Sequence, residues 1–309
     1  MNQKQTQSLA GKVAVVAGAT RGAGRAIAVE LGAAGATVYC TGRTTRNERS
    51  DIDRAETIEE TAELVTARGG IGIAVQVDHS QPAQVEALFT RVAEEQNGRL
   101  DILINDIWGG ELLMDWENPF WQMDLEKAFT MIERAIFTHM ITSRYGVPLM
   151  VVRKKGIIIE ITDGDTWTYR GNLAYDFVKT GVMRLALAQA GDLTAHGLDG
   201  ITALAVTPGF LRSEQMLDHF GVTEATWRDG IQQDPYFAES ETPHYLGRAI
   251  VALATDPNIH DKHGKTFATW TLSEEYDFAD VDGRRPHWGR FFAKMQASQN
   301  QQQQQQQQQ

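Results

Sequence analysis

Short apolar runs alternate with longer amphipathic stretches along most of this 309-residue chain. Runs that are apolar on both faces are typical of strands buried in a parallel sheet, and the helices between them cover the sheet on its two sides. We therefore predict one α/β domain over residues 9–290, a doubly wound parallel sheet of about seven strands in a three-layer αβα arrangement. The predicted strands are 13–17, 37–40, 71–77, 101–105, 156–161, 201–206 and 266–272, and the predicted helices are 24–34, 55–67, 84–95, 125–145, 173–194 and 243–254.

The two ends of the chain depart from this alternation. Residues 1–8 are mostly polar and are predicted to form an N-terminal arm without the apolar core of a signal sequence. Residues 291–309 end in a polyglutamine run. Because such a run has no apolar groups to pack, we predict a disordered, Gln-rich tail there.

Charge and residue content narrow the expected partners. The net charge of −11 opposes nonspecific binding to nucleic acid, and no apolar run is long enough to span a bilayer. The single cysteine, Cys40, excludes an intrachain disulfide and fits a reducing compartment. His260 and His263 are close in sequence but have no clear third ligand, so no metal site is predicted. We expect a cytoplasmic protein that binds neither nucleic acid nor membrane.

A glycine-rich turn follows the first predicted strand directly and opens a helix. Gly18, Gly22 and Gly24 would permit a tight turn and let the backbone approach a pyrophosphate, with Thr20 between them. An ordinary strand-to-helix turn is the alternative interpretation. The spacing G-x-x-x-G-x-G resembles that of the short-chain dehydrogenase/reductase family, which implies a Rossmann-type fold and a nicotinamide cofactor.

The end of the second strand indicates which nicotinamide cofactor is bound. An NAD site usually places a carboxylate here for the ribose 2′-hydroxyl, but the sequence has Arg43, and no carboxylate appears before Glu48. Arg21 lies inside the glycine turn. Two guanidinium groups suit a ribose 2′-phosphate, so NADP(H) is predicted, although both arginines could instead be solvated surface residues.

The most specific signal is a tyrosine and a lysine four residues apart, Tyr175 and Lys179. This spacing puts both side chains on one helix face, where an ammonium would lower the pKa of the phenol and allow acid–base catalysis. A surface helix pair is the alternative. The position on the helix after the fifth strand resembles that of the family's catalytic pair.

The same resemblance implies further site residues. Asp78 would contact the adenine amino group, unless it is a helix N-cap or loop residue. Asn105 matches the first residue of the family's N-N-A-G motif, from which the sequence then departs at Asp106. After the sixth strand, the turn of Pro208 and Gly209 and the hydroxyl of Ser213 resemble the family's carboxamide-binding segment, followed by a substrate lid at about 213–240.

Two family positions are changed in this chain. The catalytic serine lies about thirteen residues before the tyrosine, where this sequence has Thr162, although a one-residue loop deletion would place Asp163 there. Thr162 could donate to a substrate carbonyl oxygen, whereas Asp163 could do so only if protonated. The asparagine expected on the fourth helix is absent; its position falls near Ala135, with Glu133 and Arg134 beside it.

These features predict reversible hydride transfer between NADP(H) and a carbonyl or secondary alcohol substrate. The altered positions leave open a nonenzymatic NADP(H)-binding redox sensor, and more remotely an isomerase or epimerase. The fold analogy implies a homodimer or homotetramer. Five loop aromatic residues would either line an apolar pocket or pack within their loops: Trp108, Trp116, Trp121, Trp167 and Tyr169. No role is assigned to residues 276–286.

Overall fold

A computed structural model describes residues 7–307. All seven strands lie parallel in one sheet of order β3-β2-β1-β4-β5-β6-β7, which confirms the predicted architecture. The strand order reverses between β1 and β4, and at such a point a parallel sheet opens a ligand crevice at the strands' carboxyl ends. The strands are β1 (Val13–Ala17), β2 (Thr37–Gly42), β3 (Ile71–Gln76), β4 (Ile102–Asn105), β5 (Gly156–Ile161), β6 (Ile201–Thr207) and β7 (Thr266–Ala268).

Helices cover both faces of the sheet, because alternate residues of each central strand point to opposite sides. Val16 and Ile104 belong to a buried cluster with α1 and α8, whereas Val15 and Leu103 belong to one with α3 and α5. The helices are α1 (Gly22–Ala33), α2 (Ile58–Ala67), α3 (Pro82–Glu95), α4 (Leu125–Ile132), α5 (Thr138–Arg153), α6 (Leu173–Ala195), α7 (Glu214–His219), α8 (Pro243–Thr255), α9 (Thr269–Tyr276) and α10 (Trp288–Gln307).

The single helix predicted over 125–145 is interrupted. A π-helix at Glu133–Phe137 separates α4 from α5, which continues to Arg153. The hydroxyl of Thr138 donates to the carbonyl of Arg134 (2.7 Å) at this junction. The wider turn falls where the family asparagine was expected, and π-helical turns frequently mark functional sites.

The structure corrects two predictions near the C-terminus. The strand predicted over 266–272 ends at Ala268, and α9 begins at Thr269, whose hydroxyl donates to buried Glu241 (2.8 Å). Residues 291–307, predicted as a disordered tail, lie in α10. The aromatic ring of Phe292 packs on Trp288 at 5.6 Å, which supplies the apolar contact that the glutamine run lacks.

The predicted arm falls mostly on residues 1–6, and the last residues of the predicted tail are 308–309; both lie outside the described part of the chain. Within residues 7–307, no helix has the length and apolar character needed to cross a membrane.

Candidate active site

The carboxyl ends of the central strands open into a cavity of about 1370 Å³. The glycine turn lines it on one side, and Tyr175, Lys179 and the Pro208–Gly209 turn line it on another. A second cavity of about 690 Å³ shares Arg21 and Arg43 with the first and extends toward α3. The structure therefore brings most of the predicted nucleotide-binding residues together with Tyr175 and Lys179, but not Asn105.

The glycine turn is constrained by close backbone packing. Gly18 has φ +91°, and a Cβ at this position would overlap the carbonyl of Asp106. A Cβ at Gly24 would overlap the carbonyl oxygen of Gly18. Gly22 has φ +54°, but a Cβ there would meet nothing nearer than 3.8 Å. Gly18 and Gly24 thus allow the turn to close, while Gly22 stands on its open side at the start of α1.

Arginine side chains converge beside this turn. The Nη1 atom of Arg21 is buried and has no hydrogen-bond partner within residues 7–307. Arg43 is half exposed, and its Nη2 donates to the carboxylate of Asp51 at 2.9 Å. Because a buried guanidinium nitrogen without an acceptor is costly, an anionic group beside Arg21 would be stabilised. The donor set therefore fits a phosphate of a nicotinamide dinucleotide.

Asp78 and Asn105 were also predicted to contact the nucleotide, and of these two only Asp78 lines the cavities. Its Oδ1 accepts from the amide and hydroxyl of Ser80, at 2.9 and 2.7 Å. The side chain of Asn105 is fully buried and donates to Ser143 (3.0 Å) and Glu160 (2.9 Å). The expectation that Asn105 contacts the cofactor is wrong for its side chain, because it faces the interior between β5 and α5.

The structure separates the two candidates for the serine position. The hydroxyl of Thr162 donates to the backbone carbonyl of Lys179 at 2.6 Å, so its only proton is already used within the protein. Asp163, the next residue, contacts Tyr175 instead: its Oδ2 accepts a hydrogen bond of 2.8 Å from the hydroxyl of Tyr175. The proposed donation from Thr162 to a substrate is therefore not supported, and Asp163 occupies the position facing Tyr175.

The pKa of Tyr175 is raised rather than lowered. Burial raises it well above its usual value of 10, and the negative charge of Asp163 adds to the effect. Lys179 does not offset this, since its Nζ lies 5.5 Å from the centre of the Tyr175 ring and 4.1 Å from that of Trp108. Burial also lowers the pKa of Lys179 itself. The expected activation of the phenol by a neighbouring ammonium is thus absent in this arrangement.

We expect Asp163→Asn to shift the pH dependence of alcohol oxidation to lower pH. Removing the carboxylate removes a cause of the raised Tyr175 pKa, so under the predicted acid–base role of Tyr175 the phenolate that accepts a proton forms at lower pH. The measurement is kcat/KM against pH in the oxidation direction. The exposed neighbour Asp165→Asn is the matched control and should leave the profile unchanged. An unmoved profile in Asp163→Asn would contradict the assigned coupling.

Three of the five loop aromatic residues reach the cavity. Trp108, Trp116 and Tyr169 line it. Both tryptophans pack edge-on against the Tyr175 ring, with ring centres 5.7 Å (Trp108) and 5.3 Å (Trp116) from that of Tyr175. Trp121 and Trp167 do not line it. The apolar-pocket interpretation is therefore correct for only part of the set.

Residues outside the predicted site hold the Pro208–Gly209 turn, predicted to bind the carboxamide, and the segment 213–240, the predicted lid. Pro208, Gly209 and Ser213 line the cavity. The amide of Gly209 donates to Glu241 at 3.0 Å, and burial raises the pKa of Glu241 to about 8. The hydroxyl of Ser213 accepts from the amide of Met216 at 3.4 Å, which caps α7.

Residues 276–286, which had no assigned role, pack against the base of the lid. Asp282 accepts a hydrogen bond of 2.8 Å from Arg212, and the guanidinium of Arg284 lies 4.4 Å from the Trp227 ring centre. This segment therefore anchors the lid rather than forming a solvated tail.

Sequence reasoning missed several residues at the site. Burial raises the pKa of Asp106 to about 7, although the positive charge of Lys179 opposes the shift. The sequence did offer one indication of Asp106, because this residue replaces the second asparagine of the family's N-N-A-G motif. Trp288 and Phe292 of α10 also line the cavity, and Glu214 of α7 reaches the glycine turn. The glutamine run obscured α10, and nothing in the sequence connected α7 with the turn.

Comparison with known proteins agrees with this geometry. A family model described as short chain dehydrogenase matches residues 12–221. The chain belongs to the short-chain dehydrogenase/reductase family. It is 35% identical over 278 residues to dehydrogenase/reductase SDR family member 1 of Mus musculus, covering 89% of this chain and 84% of that relative.

More distant relatives share the fold and the general chemistry of this short-chain dehydrogenase/reductase. A 3-oxoacyl-[acyl-carrier-protein] reductase of Synechocystis is 28% identical over 263 residues, covering 84% of this chain and 96% of the relative. A solved short chain dehydrogenase from Mycobacterium thermoresistibile has a TM-score of 0.73 at 20% identity, over 91% of this chain and 92% of that one. The protein is thus an oxidoreductase of a family that acts on small molecules with nicotinamide cofactors.

Proposed function

We propose that this protein is an NADP(H)-dependent oxidoreductase that interconverts a carbonyl and a secondary alcohol, with Tyr175 as the proton donor. The observation that carries the proposal is one cavity lined by Arg21, Arg43, Tyr175 and Lys179. The cofactor, when bound, supplies or accepts the hydride.

The side chains around Tyr175 favour the reducing direction. A raised pKa keeps Tyr175 protonated at neutral pH, so its hydroxyl is available to a substrate oxygen that gains negative charge. Asp163 holds this hydroxyl before the substrate takes its place. Lys179 lines the same cavity, where its side chain is available to a hydroxyl of the cofactor's nicotinamide ribose.

The preference for NADP(H) rests on Arg21 and Arg43. Arg21 presents a buried nitrogen with a free donor, and Arg43 stands where an NAD site usually has a carboxylate. A 2′-phosphate beside them would compete with Asp51 for the Arg43 guanidinium. The phosphate, like the Asp51 carboxylate, accepts charge-assisted hydrogen bonds, and its larger negative charge favours the exchange.

We expect Arg43→Ala to weaken NADPH binding by roughly tenfold to a hundredfold while leaving NADH binding almost unchanged. The measurement is a titration with each nucleotide, followed by quenching of tryptophan fluorescence. Arg46→Ala is the matched control, because Arg46 is an exposed arginine of the same loop that pairs with Glu63 instead. Equal affinity of the unaltered protein for NADPH and NADH would contradict the assigned preference.

A nonenzymatic NADP(H)-binding protein is the second candidate. It is favoured by one observation: the hydroxyl that would orient a substrate, that of Thr162, is bonded to the backbone, and a carboxylate faces Tyr175 instead. NADPH oxidation in the presence of a panel of carbonyl compounds separates the two.

The lining of the cavity indicates the class of substrate. The aromatic rings of Trp116, Tyr169, Trp288 and Phe292 in the cavity support an apolar carbonyl substrate. Apolar side chains are exposed on α5, on α6 and on the π-helix between α4 and α5, and they support a homodimer or homotetramer that packs through these helices. These side chains are Phe137, Met140, Leu173, Phe177 and Leu187. The expected cytoplasmic location stays a prediction.

A further inference from the structure

The short lid helix α7 reaches back to the glycine turn. Its first residue, Glu214, follows Ser213, and its Oε2 accepts a hydrogen bond of 2.9 Å from the amide of Gly22. Gly22 is the first residue of α1 and stands on the open side of the turn. A carboxylate of the lid therefore lies at the positive end of α1.

The amides at the start of a helix have no partner within it, and the helix dipole favours negative charge there. These are the groups that a glycine turn offers to a dinucleotide's diphosphate. A carboxylate and a phosphate oxygen use the same donors. Glu214 and the diphosphate consequently compete for the amide of Gly22.

A second contact holds α7 in place. Asp218, one turn after Glu214, accepts a hydrogen bond of 2.8 Å from Arg54. Arg54 is mostly buried and also pairs with Glu56 in the segment before α2. Because α7 is tied at both Gly22 and Arg54, these two contacts together hold the carboxylate of Glu214 at the glycine turn.

We propose that Glu214 is a residue that sets cofactor affinity: its carboxylate closes the diphosphate position and must leave when the nucleotide binds. This inference rests on the proposed NADP(H)-dependent function. The free protein then divides between a closed form, with Glu214 on Gly22, and an open form that binds. The apparent Kd for the dinucleotide is the Kd of the open form divided by the fraction of molecules that are open.

Removing the carboxylate should tighten NADPH binding. We expect Glu214→Ala to lower the Kd for NADPH by about tenfold, and Glu214→Gln, which keeps a neutral acceptor, to have a smaller effect. The rate of NADPH association should rise while its dissociation rate stays the same, because only the free form is altered. Both are measured by fluorescence titration and stopped flow on the full chain.

Two controls separate this competition from a general effect of charge. Asp229→Asn removes one negative charge from an exposed position of the same lid and should leave the Kd for NADPH unchanged. The probe 2′-AMP carries the adenosine and the 2′-phosphate without the diphosphate. Its Kd should be the same in the unaltered protein and in Glu214→Ala, whereas a general loss of repulsion would tighten both ligands.

The outcomes are distinguishable. An unchanged or weaker Kd for NADPH in both Glu214 variants would overturn the competition, and the proposed function would stand if Arg43→Ala still lowers NADPH affinity. Equal tightening of NADPH and 2′-AMP would also overturn it. If neither the unaltered protein nor the Glu214 variants bind NADPH or NADH, the proposed function falls together with this inference.

Discussion

Tyr175→Phe is expected to lower kcat for carbonyl reduction by about 10²–10⁴-fold, the usual contribution of a positioned general acid. The substitution removes the hydroxyl that Asp163 holds at 2.8 Å and leaves the ring that packs against Trp108 and Trp116. Since the nucleotide candidates Arg21 and Arg43 are untouched, the Kd for NADPH should stay within twofold, roughly. Single-turnover oxidation of NADPH and a fluorescence titration measure the two effects.

Tyr169→Phe is the matched control, because Tyr169 lines the same cavity and is exposed. It should retain nearly full turnover. Full activity in Tyr175→Phe, or an equal loss in both variants, would contradict the assignment of Tyr175 as the proton donor.

The second large effect is expected at the base of the lid. Arg212 is fully buried, and its guanidinium donates to Glu224 (2.9 Å), Asp282 (2.8 Å) and the carbonyl of Ser240 (2.7 Å). It also lies 4.5 Å from the Trp227 ring centre. Arg212→Ala removes these buried contacts and opens a cavity beside Trp227, although Arg284 still donates to Asp282 (3.0 Å) and to the carbonyl of Ser240 (2.6 Å). We expect it to lower the free energy of unfolding by about 3 kcal/mol.

Arg228→Ala tests whether the effect belongs to the buried contacts. Arg228 also lies over the Trp227 ring, at 4.4 Å, but it is exposed. We expect its replacement to change the free energy of unfolding by less than about 0.5 kcal/mol. Urea unfolding followed by tryptophan fluorescence measures both variants. Similar stability of the two would show that the ion pairs of Arg212 contribute little.

The sheet and the Tyr175–Lys179 pair could be predicted because both depend on local periodicity. Runs that are apolar on both faces specify buried parallel strands, and a spacing of four specifies one helix face. The structure confirms all seven strands, although β7 is shorter than expected.

Positions just after a strand were harder to assign. Successive side chains in an extended segment point to opposite sides, so a count back from Tyr175 cannot decide between Thr162 and Asp163. The observed contacts decide it: Thr162 bonds to the backbone of α6, and Asp163 bonds to Tyr175. Asn105 shows the same limit, since its fully buried side chain bonds to Glu160 on the neighbouring strand.

Contacts between distant parts of the chain carry no local signal. Gly22 and Glu214 are 192 residues apart. The role of α10 was also hidden, because Trp288 and Phe292 precede a glutamine run that resembles a disordered tail. Their packing against Phe210 and Tyr236 depends on where the lid lies.

The most direct test of the central claim is NADPH oxidation, followed at 340 nm, by the purified full chain with a panel of apolar aldehydes and ketones. The account predicts carbonyl-dependent oxidation that is faster with NADPH than with NADH and is lost in Tyr175→Phe. Tight NADPH binding without oxidation by any carbonyl in the panel would contradict it and favour a nonenzymatic NADP(H)-binding protein.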